Sequence, residues 1–299
     1  MSLKKDYVEN FQQIKDTMHN HACKQNVLVL GGSSGCVSNI AVDYLTSSDK
    51  YTCLAAGRSA FVSRNGVLPA FYHYDVFEVG GTQRLLDQIQ KDQITIHTVI
   101  NCISTGSKVS YDTTMIAHLN YVSLNAVIHI ASTLGATLIQ MSSLKVGSPE
   151  SKDPLQLEGN PHWLGARSPY AWSKLAAELK LMNSTLADYS LLRIGLMDSP
   201  HGKKFYTRVR AVCDFKVKVT REKDLYDAFG AALQEKGRRV CNVHSKCESN
   251  MAFYKRMSNR DFLLPVPLGL FNFVFGRFMP TKMIDYVDPS YDFSYAIPL

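Results

Sequence analysis

Six short apolar runs recur through the first two thirds of the chain. They are Val27–Leu30, Tyr51–Ala55, Ala70–Tyr74, His97–Cys102, Ala136–Met141 and Ser190–Ile194. A brief, unbroken apolar run bounded by turn residues reads as a strand buried on both faces, which parallel sheets require. Helix-like stretches lie between most of the runs: Ser38–Leu45, Gly81–Gln90, Asn120–Thr133 and Tyr170–Leu186. Alternation of strand and helix predicts an α/β fold, a doubly wound parallel sheet with helices on both faces. The 299 residues suffice for one such domain with a modest second lobe. Three regions are expected: a polar, helix-prone leader over 1–24, a nucleotide-binding domain over 25–195, and a mixed region over 196–299 that completes the sheet and forms a small substrate lobe. In the last region, 219–233 reads as a strand end followed by a helix.

Bulk properties narrow the function. Charged residues make up 20% of the chain and the net charge is +7, with no long Lys/Arg run. That balance suits an anionic cofactor or substrate, and no nucleic-acid partner is expected. The seven cysteines are odd in number and irregular in spacing, without a CxxC pair. They indicate neither a zinc site nor a disulfide framework, and reduced thiols in a cytoplasmic setting are expected. Cys53 and Cys102 read as core residues, and His118, His129 and His162 have no partner at ligand spacing. No apolar run reaches membrane-spanning length. The stretch from Phe262 to Phe278 is broken by Pro265, Pro267 and Gly269 and carries Arg277, so it reads as a packing segment.

The first apolar run leads into Gly31-Gly32-Ser33-Ser34-Gly35-Cys36-Val37-Ser38 and then a helical pattern. Glycines at a strand-to-helix turn let the backbone approach a diphosphate, and the helix N-terminus supplies N–H groups and a positive dipole end. Gly32, Ser34, Gly35, Cys36 and Val37 are therefore candidate cofactor-binding residues. The second run ends Ala55-Ala56-Gly57-Arg58-Ser59. No acidic residue stands there to accept from ribose hydroxyls, whereas Arg58 offers a fork for a 2′-phosphate, so NADP is favoured over NAD. Asp75 and Val76 follow the third run; Asp75 either meets an adenine amino group or caps its own turn. Farther on, Tyr170 and Lys174 stand four apart in Ser-Pro-Tyr-Ala-Trp-Ser-Lys. On a helix they share one face, and an ammonium beside a phenol favours the phenolate. That makes the tyrosine a usable general acid/base.

These motifs resemble the short-chain dehydrogenase/reductase superfamily, in particular its extended, nucleotide-sugar epimerase/reductase-like branch. The resemblance runs from Val27 to about Gly195 and continues more faintly through Val243. Gly32-x-x-Gly35 matches the family's TGxxGxxG turn, with Gly31 in place of threonine and Ser38 in place of the last glycine. Asn120 stands where the family has an asparagine on its fourth helix. Gln140-Met-Ser-Ser-Leu-Lys-Val resembles the strand carrying the active serine or threonine. Tyr170 and Lys174 match YxxxK, and the spacing of about 27 residues from Ser143 to Tyr170 resembles the extended branch. Leu192-Arg193-x-Gly195 resembles the strand after the active-site helix.

The resemblance implies a Rossmann-type fold and hydride transfer at a carbonyl or alcohol carbon of a sugar-like or other small polar substrate. Tyr170 would exchange the proton, and Ser143 would bind the same oxygen, with Ser142 left open as the alternative. Lys174 would hold the nicotinamide ribose, and Asn101 and Asn120 join the cofactor set. A homodimer and a nucleotide-sugar substrate are further implications, as is the alternative of an NAD-retaining epimerase. A non-catalytic dinucleotide-binding protein is the remaining alternative, kept open by Ser38 and a trimmed lobe. Sugar 4,6-dehydratases carry an acidic pair where this chain has Leu144 and Lys145, which argues against dehydration. A basic group of His201, Lys203, Lys204, Arg208, Arg210, Lys216 and Lys218 is either a substrate-anion site or a solvated face. Trp163 and Trp172 either line the substrate mouth or pack.

Overall fold

The computed structural model describes residues 24–32, 35–61, 63–64, 66–104, 113–146, 169–201, 211–212, 216–259 and 264–265. The leader 1–23, Ser34, Trp163, His162 and nearly all of the stretch from Phe262 to Phe278 lie outside them. Each of the six apolar runs is a strand: β1 Gln25–Leu30, β2 Tyr51–Gly57, β3 Ala70–His73, β4 Thr98–Asn101, β5 Thr137–Ser143 and β6 Tyr189–Ile194. A seventh strand of the same sheet, β10 Arg238–Val243, comes from late in the chain. The order is β10-β6-β5-β4-β1-β2-β3, and every neighbouring pair is parallel.

Continuous apolar strands are needed because helices cover both faces. Along β1, Val27 and Val29 join one core cluster while Leu28 and Leu30 join the other. The first cluster receives Ile40 and Leu45 from α1 (Cys36–Thr46) and Leu225 and Phe229 from α6 (Glu222–Gln234). The second takes Leu85 and Ile89 from α2 (Gly81–Lys91), Val127 and Ile130 from α4 (Leu124–Thr133), and Ala177 and Leu181 from α5 (Pro169–Met182). Period-two alternation in a strand thus feeds two cores at once. A short helix α3 (Thr113–Ala117) precedes α4, and a wider turn of π type, His118–Val122, joins them.

A second sheet, β11-β9-β7, is built from Lys246–Ser249, Lys216–Arg221 and Leu196–Asp198. It packs with α7 (Asn250–Ser258) around Val217, Val219, Phe253 and Met257. A short parallel pair, β8 (Ala211–Val212) with β12 (Leu264–Pro265), completes the strands. Among the described residues, no helix is long and apolar enough to cross a membrane.

The strand order reverses at β1, which has β2 on one side and β4 on the other. Loops leaving the carboxyl ends of β1 and β4 therefore part in opposite directions and leave a crevice, the usual ligand position in open α/β sheets.

Candidate active site and dinucleotide cleft

The crevice is open and lined from three strand ends. Gly31, Gly32 and Gly35 come from the turn after β1, Gly57 and Arg58 from β2, and Cys102, Ile103 and Ser104 from β4. Asp75 and Val76 close one side. Two glycines are required by close backbone approach. A Cβ on Gly57 would stand 2.3 Å from the Gly31 carbonyl oxygen, and Gly31 itself has φ +143° with the Cys102 backbone 3.2 Å from its Cβ position. Both positions hold the three strand ends together where a diphosphate must come near the backbone.

Ser38 stands where the turn motif has its third glycine. Its side chain is buried, and its hydroxyl lies 2.8 Å from the Gly32 carbonyl oxygen and 3.1 Å from that of Gly35. The serine thus braces the turn, its one proton adding to the N–H bonds that the Gly32 and Gly35 carbonyls already accept from Gly35 and Asn39. Helix α1 begins just after Gly35 with no side-chain cap bond and no acidic residue in its first turn. That leaves its positive end available to an anion. The glycine cradle and the uncapped helix fit a dinucleotide diphosphate.

Arg58 is exposed at the cleft edge, and among the described residues no carboxylate pairs with it. Asp75 lines the cleft and also caps its own turn, accepting the Phe77 N–H at 3.0 Å. Asn101 is buried, donates to Gln140 at 2.8 Å and accepts from the Ile103 N–H at 3.0 Å, so its side chain braces the β4–β5 seam. Asn120 sits within the π turn, where the Ser123 N–H reaches the His118 carbonyl at 2.8 Å. There it accepts from the Ser104 hydroxyl and donates to Ser173, both at 2.9 Å, and Ser173 donates to the Tyr170 carbonyl at 2.7 Å. Single π turns often mark functional positions; this one ties the β4 loop to the first turn of α5.

The two serines at the end of β5 part company. Ser142 donates to the Glu178 carboxylate at 2.5 Å, on the α5 side of the sheet. Glu178 also takes a fork from Arg193 of β6, with Nε at 3.0 Å and a terminal nitrogen at 2.6 Å. Both ions are almost wholly buried, so each depends on the other for its charge. Ser143 instead accepts the Lys145 N–H at 3.2 Å, in the single 3-10 turn Leu144–Val146. A hydroxyl that accepts through one lone pair keeps its own O–H to donate elsewhere.

Lys174 is buried, and its Nζ donates to the Met141 carbonyl at 3.1 Å and lies 6.0 Å from the Tyr170 ring centre. Burial pulls its ammonium down to about 8, resisted by the Cys102 thiol and the Glu178 carboxylate. Cys102, expected in the core, is half-buried and lines the cleft; burial pushes its thiol up to about 12, against the pull of Lys174. A high thiol pKa makes it a poor nucleophile.

The depressed lysine predicts a pH effect. An unfolded lysine keeps its proton up to 10.5, while the folded one gives it up near 8. Between those values the unfolded chain binds more protons, so this group's contribution makes stability rise with pH. Denaturant midpoints followed across that window should climb more steeply in the wild type than in Lys174→Met. Parallel curves would contradict the shift.

Of the basic group after Gly195, His201 lies 3.0 Å from Asp43 of α1, while Lys218 on β9 is buried, not part of a solvated face. Lys216 is also on β9, and Lys203, Lys204, Arg208 and Arg210 lie outside the described residues. Trp172 is half exposed on α5. Among the described residues, no group of three or more His, Cys, Asp or Glu could hold a metal ion. Sequence reasoning did not single out Gly57, Glu178 or Lys145 for the site. Glu178 had a readable signal, one further turn along the face that carries Tyr170 and Lys174.

A family model described as the NAD dependent epimerase/dehydratase family matches residues 27–218. No curated protein sequence matches. Among solved structures, UDP-glucose 4-epimerase from Thermotoga maritima superposes with a TM-score of 0.65 at 16% identity, covering 81% of this chain and 86% of its own. The Bordetella bronchiseptica enzyme WbmG, solved with NAD, gives 0.63 at 19% identity over 93% and 91%. The dTDP-4-dehydrorhamnose reductase of Bacillus anthracis, solved with NADP, gives 0.61 at 17% over 83% and 86%.

Proposed function

Since the chain belongs to the NAD dependent epimerase/dehydratase family of enzymes, we propose that it is an NADP-dependent oxidoreductase acting on a carbonyl or alcohol carbon of a nucleotide sugar or similar small polar substrate. The observation that carries this reading is the clustering of Lys174 and Lys145 about Tyr170, with Ser143 held by the same turn. When bound, the nicotinamide ring supplies or accepts hydride. The chain's own groups manage the oxygen. Tyr170 donates its phenolic proton to the forming alkoxide, or takes it in the reverse direction. Ser143 donates its O–H to that same oxygen. Lys174 spends one N–H on Met141 and has two others, one of which would reach the cofactor ribose. Its charge also favours the phenolate. Ser142 is given the structural role, because its proton is committed to Glu178.

NADP is favoured by Arg58 at the cleft edge and by a β2 end without a carboxylate. Fluorescence titration of the purified protein with NADPH and NADH tests this. Selective NADPH binding is expected, and Arg58→Ala should weaken NADPH binding about tenfold or more while changing NADH little, the loss of one charge-assisted contact. Equal effects on the two would remove the NADP assignment.

NAD in several of the similar structures favours one second reading, an epimerase that keeps its cofactor through a full cycle. Co-purified NAD that does not exchange would select it. Leu144 and Lys145 disfavour dehydration under either reading, because neither of the two positions after Ser143 carries a carboxylate. The region after Gly195, apart from its α6 and β10, is read as the substrate lobe. A homodimer is proposed through α5 and its neighbour, where Trp172, Leu179 and Val122 leave large apolar surface in contact with water.

A further inference from the structure

Tyr170 has a cation on each of two structural elements. Lys174 reaches it from its own helix, one turn on, with Nζ 6.0 Å from the ring centre. Lys145 reaches it from the 3-10 turn after β5, with Nζ 5.9 Å from the same point. Lys145 differs from Lys174 in two respects. It is only half-buried, so its ammonium keeps contact with water. Its backbone N–H also holds the Ser143 hydroxyl, so one residue contacts both the serine and the tyrosine.

We propose that Lys145 is a second positioning residue for the proton-transfer step, stabilising the Tyr170 phenolate together with the helix lysine and fixing Ser143 through its backbone. The proposal deepens the reading of Tyr170 as the proton donor and acceptor, and it rests on that reading. The electrostatic argument is short. Deprotonating the phenol puts a negative charge on a ring whose centre lies 5.9 and 6.0 Å from two ammonium groups, and each favours the charged form. Lys174 is a compromised cation, because burial weakens its hold on its own proton. Lys145, half-buried on the turn after β5, places a second ammonium 5.9 Å from the same ring centre. Among the described residues, the Cys102 thiol from the β4 loop and the Glu178 carboxylate from α5, which is paired with Arg193 of β6, act on Lys174.

In proton bookkeeping the step is simple. During reduction the phenol O–H bond breaks, the proton joins the substrate oxygen, and the remaining phenolate is held by Lys145 and Lys174 until solvent returns a proton. No oxidant or further reactant is involved beyond the dinucleotide already proposed.

The test needs no known substrate. Protein labelled with 13C at the tyrosine ζ carbon is titrated through the neutral and alkaline range, and the Tyr170 signal is assigned by its absence in Tyr170→Phe. Lys145→Met and Lys145→Gln should each raise the Tyr170 midpoint by about one pH unit, as loss of a nearby opposite charge does. Lys145→Arg should leave it near the wild-type value. Since Lys145 is half-exposed, both neutral variants are expected to fold, and the other tyrosine signals report if one does not. In that case the remaining variant decides. A Tyr170 midpoint unchanged in the folded neutral variants would overturn the proposal. NADPH titration of the same samples separates the two levels: wild-type protein that binds no dinucleotide would sink the functional reading, whereas normal binding with an unmoved tyrosine would sink only the role of Lys145.

Discussion

Tyr170→Phe is expected to cut turnover by at least about 10²–10⁴-fold, the usual worth of a positioned general acid/base, while NADPH binds with its wild-type affinity. Both halves of that expectation come from placement. The Tyr170 ring centre lies 5.9 and 6.0 Å from two ammonium groups, and Tyr170 is not among the residues lining the dinucleotide cleft. Removing one oxygen from the ring leaves the helix, the Ser173–Asn120 link and the cleft untouched. The check pairs a fluorescence titration with a hydride-transfer assay on whichever nucleotide sugar a screen turns up. Loss of binding in a variant that keeps its fold would recast the tyrosine as structural.

The largest effect on stability is expected at Glu178. Truncation to alanine leaves Arg193 charged, buried and without its fork, and deprives Ser142 of its acceptor. Breaking one partner of a buried pair costs about 3–5 kcal/mol, a large share of the stability of a domain. Urea unfolding of Glu178→Ala should show this as a lowered midpoint. The double change Glu178→Leu with Arg193→Met should lose clearly less than the sum of the two single changes, because no lone charge is then left inside. Additive losses would mean that the two side chains do not depend on each other.

The sheet was legible because buried parallel strands cannot hide. With helices on both faces, runs such as Val27–Leu30 must be apolar throughout, and the runs named from sequence all became strands of one sheet. The extended short-chain dehydrogenase/reductase likeness was readable for a related reason, since its turn and its Tyr-x-x-x-Lys pair are local in sequence. What depends on contacts across the fold was not readable. Asn101, expected in the cofactor set, also donates to Gln140 on the next strand, a bond that its place in the sequence does not announce. Ser142 and Ser143 are equivalent as letters, and only the register of β5 against α5 sends one to Glu178. Cys102 reads as a core strand residue; it stands one residue past β4, packs against the core and also lines the crevice. Lys218 reads as part of an anion site or of a solvated face, and pairing of β9 with β7 and β11 buries it, against the second.

The π turn at His118–Val122 has a consequence for how this chain can vary. An α-helix advances about 100° per residue, so the wider turn is equivalent to one residue inserted between α3 and α4. Asn120 uses that extra residue to meet Ser104 on one side and Ser173 on the other. Side chains along this helix can change one at a time, but its length cannot. A single-residue deletion would restore a regular helix, swing everything before it by that angle, and uncouple the β4 loop from the helix bearing Tyr170. Among relatives, gaps should therefore gather in the loops and spare this stretch, even where its letters have drifted.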